Sequence, residues 1–451
     1  MHLKIKKFAS GVVFKIAMIS LSVGLILGST LGYSVASATS SEPVYFLFAH
    51  SLSGDYAWLG QRELWGTQLA IKDINDMGGI KSLGGAPVKL WRTVDLTSDP
   101  KMGAVALEAA LTEAKSKGVT LSAIAVMDIS GMTGPCIPIA EKYDVPLIAS
   151  VGKSGLSEMG AKYFFRVFPR NEYWAKAQVD FIKLVKEKYM PEFTKLGIAY
   201  EETAWPTDLA IQAKNWIKKY NIPIDIVTEI AYPKGLVDGT PVITKLMASG
   251  AEVVILNGYA ESLYILTAAD AMGYKPLWVG GGGFFVQPEL LEERGPEGVK
   301  GVCCAMSCNH RWSNPIADEV NDKFVKFVKE KGANLPYITE HAISGYAGTW
   351  VAKYGVELAG SRDPAKVKDA LHNLEIVMGP AEDEGKMKDG AIISPRALFV
   401  VPSAHLKFNE KGDNIYMSGC LVQWQEVEDG KWEPVMVSPE ENTPYRLQAW
   451  K

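Results

Sequence analysis

Short apolar runs typical of buried strands alternate along the chain with segments whose apolar residues recur every three or four positions, as in amphipathic helices. The apolar runs predict strands at 44–49, 88–95, 121–127 and 145–150 and, after the segment 164–170, at 196–200, 224–232, 251–257 and 276–281. The intervening segments predict helices at 56–76, 100–111, 138–143, 174–188, 207–219, 240–248 and 261–272. Because strand and helix alternate in two successive series, we expect an α/β protein with two doubly wound parallel sheets.

Small and polar residues follow most of the predicted strands. In parallel α/β sheets, ligands bind beyond the carboxyl ends of the strands, where side chains and free helix amides meet. The strand ends with such residues are 50–54, 128–131, 150–154, 201–205, 257–259 and the glycine run 280–285. Glycine and serine are also ordinary turn and capping residues, so a single junction does not establish a site.

Sequence motifs of the common enzyme classes are absent from the chain. It contains neither GxxxxGK[ST] nor GxSxG, and the run GGGGFF lacks the GxGxxG spacing of a dinucleotide site. The histidines are scattered, and the run Cys303, Cys304 and Cys308 lacks the paired CxxC spacing of a zinc site. That run fits either a local disulfide or free buried thiols. We therefore expect no catalytic residue, no metal and no cofactor.

The amino-terminal segment has the pattern of an export signal. Lysines precede an apolar run at 16–27, and Ala36 and Ala38 supply the small-x-small pattern that a signal peptidase recognises. We predict a signal peptide over 1–38 that is cleaved near Ala38, leaving no stable membrane insertion. An uncleaved membrane anchor is the alternative.

Charge and composition limit the partners of the mature chain. Its hydrophobic content of 47% is enough to fill two cores. Removing the four lysines of the signal leaves 43 basic against 51 acidic residues, a formal net charge of −8. Such a balance excludes an electrostatic footprint for nucleic acid or anionic lipid.

Several stretches, taken in order, carry a resemblance to a known family. They include LSGDYAWLGQRELWGTQLAIKDINDMGGI (52–80), MDISGMTGPCIPIAEKYDVPLIAS (127–150), LGIAYEETAWPTDLA (196–210) and VVILNGYAESLYILTAADAMGY (253–274). Together they resemble the leucine/isoleucine/valine-binding proteins, the periplasmic receptors of branched-chain amino acid ABC importers. The resemblance covers nearly the whole mature chain.

The resemblance implies a type I periplasmic binding fold, with two parallel-sheet lobes joined by a three-crossing hinge. The crossings are expected near 166–170, 303–312 and 379–383, with lobe 1 at 39–166 and 306–378 and lobe 2 at 167–305 and 379–451. It also implies a monomeric periplasmic receptor, not an enzyme, that closes on a small-molecule ligand and delivers it to permease and ATPase subunits. A sensor for a separate signalling protein and an exported enzyme are the alternatives.

The same resemblance implies a set of ligand-binding residues. The family serine that holds the ligand carboxylate matches Ser130, with the amide of Gly131 beside it. The aromatic residues that line the family pocket match Trp58, Trp205 and Tyr259.

Two positions depart from the family pattern. Lys153 or Ser154 lies near the position of a family Thr or Ser, and Gly282 matches the acid that binds the α-ammonium. Either another loop supplies the acid, from Asp128, Glu201 or Glu202, or the ligand is a carboxylate without an amino group. In the second case Lys153 pairs with that carboxylate while the aromatic residues enclose an apolar or aromatic body.

The segment 381–403 is longer than the family's usual link. It fits either a surface hairpin on the second lobe or a modified contact with the cleft.

Overall fold

A computed structural model describes residues 42–401 and 403–448. The predicted signal peptide 1–38, with its cleavage site near Ala38, lies outside the described residues. Within the described part of the chain, we find no helix that is long and apolar enough to cross a membrane.

The first lobe is built on a five-stranded sheet in which all neighbouring strands run parallel. Its strands are β1 (Val44–His50), β2 (Val88–Asp95), β3 (Leu121–Met127), β4 (Leu147–Ala149) and β5 (Phe164–Arg166), in the order β2-β1-β3-β4-β5. Helices α1 (Ala57–Asp76), α2 (Pro100–Ser116) and α3 (Ser130–Lys142) connect the first four strands. Every residue of β3 is buried, as expected for a strand covered on both faces.

The second lobe contains the second predicted series. Its parallel strands are β6 (Lys195–Glu201), β7 (Asp225–Tyr232), β8 (Val253–Asn257), β9 (Leu277–Gly281) and β10 (Cys303–Met306). Its helices are α4 (Asn171–Leu184), α5 (Ala204–Tyr220), α6 (Thr240–Ser249), α7 (Glu261–Ala271) and α8 (Pro288–Val299). The two parallel sheets predicted from the alternation are therefore confirmed.

The chain then returns to the first lobe as α9 (Ala317–Glu330), α10 (Glu340–Ala359) and α11 (Pro364–His372). Helix α10 packs along α1 with the two backbones in close contact. A Cβ added at Gly66 would lie 2.0 Å from the carbonyl oxygen of Ala342, and one at Gly345 would lie 2.2 Å from that of Glu63. These glycines fix the position of α10 and therefore of its first residues.

The long insertion forms most of a small sheet of its own. Its strands are β11 (Glu375–Val377), β12 (Met387–Lys388), β13 (Ala391–Ile393) and β14 (His405–Lys407), in the order β12-β13-β11-β14. From the insertion, Arg396 donates to the hydroxyl of Tyr346 at 2.7 Å and to Glu319 at 2.9 Å. The insertion thus packs against the helices of the first lobe.

The chain joins the second lobe again only with β15 (Cys420–Glu428) and β16 (Lys431–Ser438), which extend that sheet to the order β16-β15-β10-β9-β8-β6-β7. The third crossing was expected near 379–383, but the contacts of the insertion with the first lobe favour a later position. The stretch after β14 instead runs beside the first crossing, where Arg170 contacts Asp413 at 3.2 Å. We propose 408–419 as the third crossing; the other lobe boundaries stay predictions.

One helix begins earlier than the sequence indicated. The prediction started it at Pro138, because proline is common in a first helical turn. The helix α3 begins at Ser130 and includes Pro135 and Pro138, which remove two backbone donors without ending it. Its amino terminus therefore lies directly after β3.

Candidate functional site

A cavity lies between the lobes, at the carboxyl ends of the strands of both sheets. About 300 Å³ of space lies between its protein atoms, part of it open to solvent, but the centre of a water-sized sphere can reach only about 20 Å³ of it, which is room for about one water molecule. The residues that line it are Asp128, Ser130, Ser150, Gly152, Phe168, Trp174, Trp205, Tyr259, Gly282, Gly283, Glu340 and His341.

The first lobe supplies a polar wall, which we define as Asp128, Ser130, Ser150, Glu340 and His341. The first three follow β3 and β4, and the other two open α10. Nδ1 of His341 lies 2.6 Å from Oδ2 of Asp128, and the hydroxyl of Ser307 donates to Glu340 at 2.8 Å.

The second lobe and the first crossing supply an aromatic wall, which we define as Phe168, Trp174, Trp205 and Tyr259. The Trp205 ring lies 5.3 Å from that of Trp174 and 5.5 Å from that of Tyr259, measured between centroids. All four side chains are buried. The wall therefore offers a rigid apolar surface opposite the polar groups.

Several buried polar atoms at the cavity lack a hydrogen-bond partner among the described residues. They are Oγ of Ser150, Nε1 of Trp174 and Nε2 of His341. Buried polar groups in folded proteins are nearly always paired. The arrangement can therefore bind a small molecule with polar groups on one side and an apolar body on the other.

Two glycines from opposite lobes enclose the Trp205 indole. A Cβ added at Gly152 would lie 2.6 Å from Nε1 of Trp205, and one at Gly282 would lie 2.2 Å from its Cη2. Gly282 has φ 103° and ψ 170°, a conformation essentially restricted to glycine. Neither position has room for a side chain while Trp205 stays in place.

Direct contacts join the lobes on both sides of the cavity. On one side, Nζ of Lys234 lies 3.0 Å from Oδ2 of Asp55 and donates to the carbonyl of Ser98 at 3.0 Å. On the other side, Arg62 donates to Gln287 at 2.5 Å and pairs with Glu289. The structure therefore has a closed cleft.

Four of the predicted site residues, Ser130, Trp205, Tyr259 and Gly282, line the cavity. Trp58 lies behind it, with its ring 5.3 Å from that of His341 and 5.8 Å from that of Phe284. Gly131 is in the first turn of α3, where an added Cβ would lie 3.8 Å from that of Ala204 in the other lobe.

The structure does not place Lys153 and Ser154 among the lining residues. The backbone N–H of Lys153 donates to Oγ of Ser130 at 3.2 Å. The hydroxyl of Ser154 donates to Glu172 at 2.6 Å, and its N–H donates to Asp208 at 3.0 Å. The position beside Ser130 that the sequence assigned to this pair is occupied by Ser150.

Of the three candidate acids, Asp128 lines the cavity. Glu201 is buried beside it in the second lobe, where the hydroxyl of Thr203 donates to its carboxylate at 2.9 Å, and Glu202 is exposed. The sequence reasoning missed Glu340 and His341, which lie far from the other site residues along the chain. Ser150, Gly152 and Gly283 lie in strand ends that the sequence marked, but it did not assign them to the site. It did not mark Phe168 and Trp174.

All five cysteines lie within the described residues, and all are buried free thiols. Of the two alternatives for the run at 303–308, the structure has the free thiols. Burial raises the pKa of Cys303 and Cys304. These thiols are therefore protonated and poorly reactive.

The carboxyl of Glu340 gives the ligand-free protein a pH-dependent stability. Burial raises its pKa from 4.5 to about 7; His341 opposes the rise, and Asp128 adds to it. The folded state therefore binds more protons than the unfolded state between these values, and stability falls as pH rises through that window. We expect Glu340→Gln to remove about 3 kcal/mol of this dependence, measured by urea unfolding at pH 5 and pH 8. If the free energy of unfolding changed by the same amount between pH 5 and pH 8 in the wild type and in Glu340→Gln, the assignment would be contradicted.

Comparisons with known proteins agree with this geometry. The sequence model of a family described as periplasmic binding protein matches residues 43–405. A Brucella melitensis protein named Leu/Ile/Val-binding protein homolog 8 is 28% identical over 372 residues, covering 79% of this chain and 87% of that protein. The resemblance to the leucine/isoleucine/valine-binding proteins is thereby confirmed.

Solved structures show the same fold. The branched-chain amino acid transporter substrate binding protein LivJ from Streptococcus pneumoniae, in complex with isoleucine, superimposes with a TM-score of 0.64 at 20% identity, covering 88% of this chain and all of that one. A solute binding protein of an ABC transporter from Rhodopseudomonas palustris, in complex with p-hydroxybenzoic acid, gives 0.66 at 18% identity, covering 88% and 96%. The type I periplasmic binding fold expected from the sequence is confirmed. By its sequence and its fold, this chain belongs to the periplasmic binding protein family.

Proposed function

We propose that this protein is an extracytoplasmic solute receptor of an ABC importer, whose lobes close on a small ligand and deliver it to permease and ATPase subunits. The cavity between the lobes carries the proposal. It lies at the carboxyl ends of both sheets, and its walls hold three buried polar atoms that have no partner within 42–401 and 403–448. A bound ligand would pair these atoms.

The contacts across the cleft support a closing mechanism. Lys234 and Arg62 link the lobes on opposite sides of the cavity, so separating the lobes breaks both contacts. A ligand that touches both walls stabilises the closed state by contacts that the open state lacks. Closure then gives the membrane subunits a conformation that reports the bound ligand.

The proposed setting follows from the sequence and the family. An export signal over 1–38 and an acidic mature chain fit a monomer in the periplasm that binds neither nucleic acid nor the membrane surface. The polar wall has no arrangement that we assign to catalysis, so we propose a binding role without chemistry.

Two ligand classes come from the relatives. The names of the similar proteins refer to leucine, isoleucine and valine, and a solved relative holds p-hydroxybenzoic acid. Both kinds of molecule join a carboxylate to an apolar or aromatic body. The aromatic wall fits such a body, and Ser130 and Ser150 at the start of α3 fit the carboxylate.

A ligand screen followed by an uptake assay tests the proposal. Co-purified ligand is removed by unfolding and refolding, and the protein is melted with amino acids, amines, aliphatic and aromatic carboxylates, amides and polyols. A ligand at 100 times its Kd stabilises by about 2.7 kcal/mol, which raises Tm measurably. We expect at least one of these compounds to raise Tm. Cells that lack the gene should take up the labelled form of that compound more slowly than wild-type cells. A screen without any stabilising compound contradicts a receptor role, and unchanged uptake contradicts the importer.

A further inference from the structure

The charged groups at the cavity all come from one lobe. Its lining residues include two carboxyl groups, Asp128 and Glu340, and one imidazole, His341. The residues that line it include no lysine and no arginine. A ligand with only a carboxylate would therefore enter a site with two acids and no permanently cationic side chain.

The second lobe cannot supply an acid from position 282. The Trp205 indole occupies the space where a side chain at Gly282 would stand, with its Cη2 2.2 Å from an added Cβ. Two buried acids of that lobe, Glu201 and Glu261, do not line the cavity: Glu201 accepts from Thr203 and Tyr56, and Glu261 accepts from the N–H of Gly235. An acid that contacts the ligand must therefore come from the polar wall.

The two acids of the polar wall are held in fixed positions with capacity left for a ligand. Ser307 donates to Oε1 of Glu340, and His341 holds Oδ2 of Asp128. A carboxylate has about four acceptor sites, so each group can accept further hydrogen bonds. An ammonium group has three donors and would satisfy both acids at once.

A second and independent observation points to a ligand at the same wall. Nε2 of His341 and Oγ of Ser150 have no partner among the described residues, and these side chains are 4% and 0% exposed. Oγ of Ser130 accepts from the N–H of Lys153, which leaves its own hydrogen free to donate. The two serines and the amino terminus of α3 thus form a separate set of hydrogen-bond donors for a carboxylate.

We propose that Glu340 and Asp128 of the first lobe form the subsite that binds an ammonium group of the ligand, in place of an acid at position 282. Ser130, Ser150 and the start of α3 bind the carboxylate, and the aromatic wall encloses the side chain. The ammonium site has thus moved from position 282 to the opposite wall. This inference rests on the proposed receptor function and adds the subsite that holds an amino group of the ligand.

Matched sets of probes test the ammonium subsite. One set is L-leucine, 4-methylpentanoate and 3-methylbutylamine; the other is L-phenylalanine, 3-phenylpropanoate and 2-phenylethylamine. Calorimetric titration of the refolded protein gives the Kd of each of these compounds. The melting screen described above covers the wider set of compounds. We expect an ammonium-bearing compound to bind, and its counterpart without nitrogen to bind at least about 30-fold more weakly. If no ammonium compound binds, the inference is overturned.

Variants assign the site. Glu340→Gln and Asp128→Asn should each weaken binding of the amino compound by about 30-fold or more, with little change for its counterpart without nitrogen. Glu384→Gln is the matched control, because Glu384 is also buried with a raised pKa but contacts Tyr354 away from the cavity. Melting of each variant separates loss of folding from loss of binding. Equal losses for both probes would overturn the assignment.

Lys153→Ala tests the rival arrangement. If a carboxylate without nitrogen binds best and Lys153→Ala weakens it strongly, the ammonium subsite inferred here is wrong while the receptor function stands. If no compound of any class binds, the receptor function itself fails. The two failures are therefore distinguishable.

Discussion

Replacing Gly282 by alanine should lower the free energy of unfolding by about 3 kcal/mol or more and weaken ligand binding by at least tenfold. The first cause is the backbone, because φ 103° with ψ 170° costs a non-glycine residue about 1–3 kcal/mol. The second cause is the added Cβ, which would lie 2.2 Å from Cη2 of Trp205. The indole must move into the cavity or the β9 end must shift, and both changes disturb the aromatic wall.

Two further variants separate these causes. Gly273 also has a positive φ, 68°, but an added Cβ would have nothing within 4 Å. Gly273→Ala therefore carries only a strain of about 1–2 kcal/mol. In a Gly282→Ala/Trp205→Ala double variant, the clash disappears, so the combined loss should be smaller than the sum of the single losses. Urea unfolding measures the loss of stability in each variant, and titration with the best ligand of the screen measures the loss of affinity. Strictly additive losses would show that no clash occurs.

The parts of the site that sequence predicts are those that follow directly from strand ends. Ser130, Trp205, Tyr259 and Gly282 each come at or shortly after the end of a β-strand, and parallel strands place such residues at one edge. At β4, the sequence placed the end of the strand one residue too late and assigned the site position to Lys153 or Ser154. The structure ends this strand at Ala149, so Ser150 lines the cavity and Lys153 lies beyond it.

The parts that sequence could not predict depend on packing between distant segments. Glu340 and His341 reach the cavity because α10 lies against α1, and that position follows from the glycine contacts of Gly66 and Gly345. Neither glycine forms a recognisable motif. The proposed shift of the third crossing has a related cause, since buried contacts of Arg396, Glu384 and Pro395 with distant segments hold the insertion on the first lobe.

Behind the polar wall lies a buried pair of titratable side chains in direct contact. Nε2 of His50 is 2.7 Å from Oε2 of Glu63, and the two side chains are 2% and 0% exposed. Glu63 is on α1, opposite Gly345 of α10, so the pair lies where these helices and β1 meet. Removing one partner of a buried pair leaves the other uncompensated, which costs about 3–5 kcal/mol.

Glu63→Leu should therefore destabilise the protein by about 3–5 kcal/mol at pH 6, measured by urea unfolding. The matched control is Asp76→Asn on the same helix, where an exposed pair with Lys72 should contribute less than about 1 kcal/mol.

The pH dependence distinguishes the pair of His50 and Glu63 from simple loss of packing. Glu63 opposes the effect of burial and raises the pKa of His50, while burial raises the pKa of Glu63. The folded wild type thus binds more protons than the unfolded chain, and its stability falls as pH rises from 4.5, the usual pKa of Glu63, through the raised pKa values of both groups. In Glu63→Leu, burial lowers the pKa of His50 and is opposed only by the weaker effects of Asp128 and Ser51, so the contribution of His50 to stability rises with pH instead. The gap between the two proteins should therefore be largest at acidic pH and shrink by pH 8; a gap independent of pH would mean that the pair contributes through packing and not through its shared proton.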